Sequence, residues 1–194
     1  MSGLEAYSRL VREYHQTLDL ISSQALGQWA AMLADALLYA EVIAELLPSA
    51  QSLLDVGSGV GLPGVPLAIA NPDWDVRLVE RRRRRSAFLN LVRGQLGLSN
   101  VTVEQADVSV LASGSAQVVT AQAVARFAAV YTLPRQLHAP EVVLVSSKGA
   151  DWQVEAAELE ERSGAVISAS ALRERSNGTG LIVGIRLPGG LECR

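Results

Sequence analysis

Leu53-Leu54-Asp55-Val56-Gly57-Ser58-Gly59-Val60-Gly61-Leu62-Pro63-Gly64 is the stretch that decides the fold. A short apolar run ends in closely spaced glycines and passes straight into a helical pattern, Leu62–Ala70. Glycines at such a junction let the main chain turn sharply and let a ligand approach it closely. The stretch therefore reads as strand, ligand-binding turn, helix.

Working outward, the same alternation repeats. Ser52–Val56, Val76–Val79, Val101–Glu104, Gln117–Ala121, Glu141–Ser146, Ala165–Ala169 and Leu181–Leu187 are the expected strands. The first five are short and almost continuously apolar, as strands buried on both faces are. Leu62–Ala70, Arg84–Leu96, Arg126–Leu137 and Ala150–Ser163 are the expected helices between them. This order specifies an α/β fold, a mostly parallel seven-stranded Rossmann-like sheet with helices on both faces. The last two strands, joined through Ser176-Asn177-Gly178-Thr179-Gly180, suit a hairpin-like edge. Upstream, Leu4, Tyr7, Leu10, Val11 and Tyr14, then Trp29 through Leu47, keep three- and four-residue spacing. Pro48 ends the second of these helices. Residues 1–50 are read as a helical cap, and residues 51–194 as the core on which it packs.

Two ligand classes compete for the turn, because Gly59 to Gly64 also matches the dinucleotide pattern G-x-G-x-x-G. A pyrophosphate needs free N–H groups at the helix start. Pro63 removes one of them, and Asp55 adds a carboxylate beside the turn. A cofactor with a sulfonium and an ammonium group tolerates both, so S-adenosylmethionine is the expected ligand and a nicotinamide dinucleotide the disfavoured one. Glu80 closes the second strand 19 residues after Gly61, about where a Rossmann-type acid meets ribose hydroxyls. A carboxylate accepts both hydrogen bonds of a vicinal diol. Asp107, just past the third strand, stands where an adenine amino group would lie, although Asp is also a common turn and cap residue.

Composition narrows the classes further. The chain has 194 residues, 49% hydrophobic and 19% charged, which suits one folded domain rather than a disordered one. The apolar stretch nearest to a membrane span, Ala25–Leu47, carries Asp35, Glu41 and Glu45. The N-terminal residues lack the apolar centre of a secretory signal. The single cysteine, Cys193, excludes an intrachain disulfide and a cysteine metal site, and no zinc or di-carboxylate spacing is present, so no metal is expected. A cytoplasmic protein is the expectation. A net charge of −3 excludes a uniformly basic nucleic-acid binder but not a local basic patch.

Asp55 to Pro66, read as DVGSGVGLPGVP, resembles the signature of the RsmG/GidB family. The likeness continues through Leu67-Ala68-Ile69, Asn71-Pro72, Leu78-Val79-Glu80, Phe88-Leu89 and Leu96-Gly97-Leu98-Ser99-Asn100-Val101, and ends at Lys148-Gly149. It implies a class I methyltransferase that modifies guanine N7 in small-subunit (16S) ribosomal RNA, with the ribosomal RNA or small subunit as partner. It also implies a cofactor held by Asp55, Gly57, Gly59, Gly61, Leu62, Glu80 and Asp107. Gly57 and Leu62 would line its methionine side, and Val108 and Ser109 would flank its adenine. Gln122, where the family carries an arginine, is counted with these. The family's N-L-T and R-H-x-x-D-S signatures appear here only as Asp19-Leu20-Ile21 and Met32-Leu33-Ala34-Asp35-Ala36, and its arginine near position 107 appears as Asp107. These departures leave two readings of the acceptor open: the family's RNA, or a cofactor-binding paralogue with another substrate or without turnover.

The arginine run Arg81–Arg85 opens the helix that carries Phe88. Cations there oppose the helix dipole, so either a solvated face or an RNA phosphate contact through Arg82 and Arg84 accounts for it. Lys148, at the end of the fifth strand, reads as a further RNA contact or as a lysine whose stem packs while its head stays wet. His15 and His138 fall in unremarkable helical positions, and no catalytic residue is assigned. The oligomeric state is not specified.

Overall fold

The computed structural model describes residues 2–112, 114–122, 126–132 and 135–187. Three helices come first: α1 (Gly3–Tyr14), α2 (Ser23–Gly27) and α3 (Trp29–Leu46). Ser2 caps α1, and its hydroxyl accepts from the Glu5 amide while the Glu5 side chain accepts from Ser2 N. The core follows as β1 (Ser52–Val56), α4 (Gly64–Ala70), β2 (Asp75–Val79), α5 (Arg83–Leu96), β3 (Val101–Glu104) and β4 (Ala116–Ala121). It continues as α6 (Phe127–Thr132), β5 (His138–Lys148), α7 (Trp152–Ser163), β6 (Ala169–Glu174) and β7 (Leu181–Leu187).

The seven strands form one sheet in the order β3-β2-β1-β4-β5-β7-β6. The first five are parallel, and β7 runs antiparallel to both β5 and β6. The strand order therefore reverses between β1 and β4, where open α/β sheets bind ligands. Alternation along the strands feeds two cores. Leu53, Val76 and Leu78 point toward α1, α3, α4 and α5, whereas Leu54, Val79 and Val119 point toward α6 and α7. Helix α3 lies so close on β7 that a Cβ at Gly184 would fall 2.4 Å from Val42 Cγ1, so only glycine fits there. The N-terminal helices thus share one core with the sheet. Among the described residues no helix is long and apolar enough to cross a membrane.

Several boundaries differ from the sequence reading. The sixth strand is Ala169–Glu174, not Ala165–Ala169. An edge strand needs apolar residues on one face only, and Ala171 supplies that face while Arg173 reaches Glu41 and Glu45 on α3. The apolar run at Ala165 instead follows the left-handed Gly164 that ends α7. The helix expected over Arg126–Leu137 is shorter, with α6 followed by a 3₁₀ turn at Arg135–Leu137, and β5 starts at His138. Helix α4 begins at Gly64, two residues later than expected.

Candidate cofactor site

The turn after β1 is held open by left-handed backbone at Gly57 (φ 69°), Gly59 (φ 59°) and Gly61 (φ 108°). Side chains rarely adopt this region, which is why glycine recurs here. The amides of Gly57 and Ser58 both donate to Val79 O, at 2.9 and 3.0 Å, and tie the turn to the end of β2. Gly61 faces inward, where a Cβ would meet Val65 at 2.7 Å and Leu89 and the Tyr7 hydroxyl at 3.1 Å. Gly64 packs α4 against the sheet, with Leu78 Cδ2 2.3 Å from where its Cβ would be. The first turn of α4 is buried, and Pro63 and Pro66 lack N–H groups, so this helix start presents no anion site. The dinucleotide pattern is present in letters and absent in chemistry.

Glu80 follows β2 and is buried, accepting from Gly59 N at 3.0 Å and from Arg82 N at 2.7 Å. Each carboxylate oxygen keeps a further lone pair for a ligand. Beyond β3, Asp107 caps a 3₁₀ turn at Val108–Val110, accepting from Ser109 N (3.0 Å) and Ser109 Oγ (2.7 Å). Those hydrogen bonds, with the nearby Arg81 charge, hold its carboxyl below the usual value. Between these groups lies a cleft of about 330 Å³. Val56, Val79 and Val108 give it apolar walls, and Gly57, Glu80 and Asp107 line it beside Arg81, Arg82 and Arg85. An apolar slot between a diol-accepting carboxylate and a second polar rim fits an adenosine group.

The structure brings together Gly57, Glu80, Arg82, Asp107 and Val108. Gly59 touches the same group through its amide, and Ser109 orders Asp107 from the exposed side. Leu62 is buried in the core, Gln122 lies just past β4, and Arg84 is exposed outside the cleft lining. Asp55 stands behind the turn, fully buried. Its Oδ1 accepts from Thr120 Oγ1 at 2.7 Å, while its buried Oδ2 has no hydrogen-bond partner among the described residues. Burial pushes its carboxyl up to about 7, against the pull of Thr120, Ser58 and the Gly64 amide. It therefore braces the turn and carries less negative charge near neutral pH than the sequence reading assumes. Lys148 departs most from expectation: its side chain is 4% exposed, and Nζ pairs with Glu155 at 2.7 Å over the Phe127 ring. Placed so, it faces a carboxylate rather than a phosphate.

Sequence reading missed Val56, Val79, Ala106, Arg81 and Arg85 in the lining. For the arginines a signal was present. Arg81 and Arg82 lie between Glu80 and the start of α5, and Arg85 in its first turn, so the run stands beside the end of β2.

Comparison with known proteins agrees with this architecture. Residues 1–176 match the family described as GidB, rRNA small subunit methyltransferase G. A ribosomal RNA small subunit methyltransferase G from Acidothermus cellulolyticus is 48% identical over 118 residues, covering 60% of this chain and 53% of that protein. Its namesake from Halorhodospira halophila is 36% identical, covering 83% of this chain and 75% of its own. The chain thus spans about half the length of the first relative and three quarters of the second. Among solved structures, a SAM-dependent methyltransferase from Aquifex aeolicus superposes with a TM-score of 0.60 at 14% identity, covering 82% of this chain and 92% of its own. Magnesium protoporphyrin IX methyltransferase from Synechocystis superposes with a TM-score of 0.62 at 15% identity, covering 94% and 97%. At those identities the likeness shows the fold alone, that of S-adenosylmethionine-dependent methyltransferases. The match over residues 1–176 shows more, and the chain belongs to the rRNA small subunit methyltransferase G family.

Proposed function

We propose that this chain is a cytoplasmic enzyme that transfers a methyl group from S-adenosylmethionine to guanine N7 in small-subunit ribosomal RNA. Residues 1–50 act as cap and residues 51–194 as the methyltransferase core. The observation that carries the reading is Glu80, a buried carboxylate hydrogen-bonded to the glycine turn and open to an adenosine-shaped cleft. In this reading Glu80 takes the ribose diol, Val56, Val79 and Val108 sandwich the base, and Asp107 with Ser109 meets its amino edge. Gly57 lets the ligand lie against the main chain, with Leu62 and Gln122 toward the methionine end. Asp55, Gly59 and Gly61 hold the turn in shape.

When bound, the cofactor supplies an electrophilic methyl group on a sulfonium that leaves as a neutral thioether. Guanine N7 attacks with a lone pair and carries no proton there, so the protein needs no general base. Alignment of donor and acceptor is the protein's main task, worth ~7–11 kcal/mol in well-oriented reactions. Arg82 and Arg84, at the start of α5, are the proposed contacts to RNA phosphate, and none of Arg81–Arg85 has an ion-pair partner among the described residues. A role for Lys148 in RNA binding would require it to leave Glu155.

The test is transfer of labelled methyl from S-adenosylmethionine to intact small subunits, naked 16S RNA and total tRNA, followed by nucleoside analysis. Label in N7-methylguanosine of the small subunit or its RNA is expected. Tight cofactor binding without transfer to any of them would replace this reading with the non-catalytic paralogue.

A further inference from the structure

The turn at Gly57–Gly61 is held from two sides. From the sheet, Val79 O accepts from Gly57 and Ser58. From the other side, the Tyr7 hydroxyl of α1 donates to Val60 O at 3.0 Å across 53 residues of sequence. Tyr7 is fully buried, and burial pushes its phenol well above the ordinary value, with the charge of Asp55 adding to the effect. The hydroxyl therefore stays a donor at every working pH. Its ring stacks edge-on against Trp29 of α3, centroids 5.4 Å apart. Trp29 Nε1 donates to Ser8 Oγ (3.0 Å), and that hydroxyl donates to Leu4 O (2.8 Å). A buried phenol locked at both ends is thus aimed at the middle carbonyl of the ligand-binding turn.

We infer that Tyr7 is a positioning residue for the cofactor, which couples the N-terminal helix α1 to the shape of the glycine turn. A buried carbonyl without its donor is costly, so Val60 would tilt to find another partner. Gly59 N and Gly57 flank it, one bonded to Glu80 and the other at the cleft floor. Movement at Val60 would therefore shift both the ribose-binding carboxylate and the surface under the ligand. By linkage, a cofactor that favours the ordered turn must also favour a docked α1. This rests on the cofactor lying against the turn, as proposed above.

The experiment measures S-adenosylhomocysteine binding by calorimetry to the wild type, to Tyr7→Phe and to Val11→Ala. Val11 is buried in the same helix and makes no hydrogen bond to the turn, so its truncation removes packing while leaving α1 docked and the Tyr7 donor in place. Tyr7→Phe is expected to raise Kd about threefold or more by depopulating the competent turn, while Val11→Ala leaves Kd within twofold or so. Hydrogen exchange on the wild type gives a second measure independent of any variant. Saturating S-adenosylhomocysteine should slow the Leu10 and Val11 amides of α1 more than the Leu159 amide of α7. Unchanged affinity in Tyr7→Phe, equal weakening by Val11→Ala, or no added protection in α1 would each overturn the proposal. Wild-type protein that fails to bind S-adenosylhomocysteine would instead overturn the cofactor reading on which it rests.

Discussion

Asp55→Asn tests the electrostatics of the turn directly. The carboxyl of Asp55 is fully buried, takes one hydrogen bond from Thr120, and ionises at about 7 instead of its ordinary 3.8. Between those values the folded protein holds a proton that the unfolded chain has released, so stability falls as pH rises through this window and levels off above it. At about 1.4 kcal/mol per pH unit, the full cost to the native state above pH 7 is ~4 kcal/mol. The Asn side chain keeps an oxygen for Thr120 and cannot ionise, so it removes this dependence whatever it does to absolute stability. Urea unfolding of ligand-free wild type and variant, from about pH 5 to about pH 8, isolates the effect, since every other group cancels in the difference. The wild type is expected to lose roughly 3 kcal/mol relative to the variant across that range. Parallel stability curves would refute the argument and return Asp55 to an ordinary, ionised carboxylate.

Two further perturbations separate the cleft from its surroundings. Gly57→Val places a β-branched side chain at φ 69°, in the floor of the cleft, and should abolish measurable S-adenosylmethionine binding in a calorimetric titration. Wild-type affinity in that variant would remove the ligand from this turn. The double variant Arg82→Ala/Arg84→Ala should weaken RNA binding at every sequence and flatten the plot of log K against log salt by roughly 1 to 2, with S-adenosylhomocysteine affinity held within severalfold because Glu80 remains in place. An unchanged salt slope would assign these arginines to the solvated surface.

The elements legible from sequence are those whose local chemistry leaves no alternative. A short apolar run followed by Gly57, Gly59 and Gly61 has few other folds open to it; β1 and Glu80 fall where the pattern puts them, and α4 starts two residues later than expected. Strand β6 was misplaced because its exposed face carries Ser170 and Glu174 and its inner face carries Arg173, residues whose strand state is imposed by pairing with β7 rather than by composition. The burial and partners of Asp55 and Lys148 were not legible, for one shared reason. A charge's exposure depends on residues distant in sequence, here Thr120 for the carboxyl and Glu155 for the ammonium, and no local pattern encodes that distance. The Tyr7–Val60 bond, spanning 53 residues, is hidden in the same way.

The arginines at the head of α5 make the strongest case that the site has a partner outside the protein. Many cations elsewhere are matched, Arg77 to Glu104, Arg126 to Glu158, Arg173 to Glu41 and Glu45, Arg175 to Asp35 and Arg186 to Glu141, while Arg12 and Arg93 stand singly without an ion pair among the described residues. Acids outnumber bases in the sequence, so partners are not scarce. Yet Arg81–Arg85 stand together with no ion pair among the described residues, although the Arg81 charge is felt by Asp107, at a helix start that no side chain caps, and the buried Nε of Arg85 has no acceptor among those residues. Each such cation costs about 0.3–1 kcal/mol against the helix dipole, before the mutual repulsion of five neighbours is added. Glu80 offsets part of this, but it is already engaged by two backbone amides. Under the proposed function these charges would meet an anion that arrives with the substrate, beside the cleft where the methyl donor would lie.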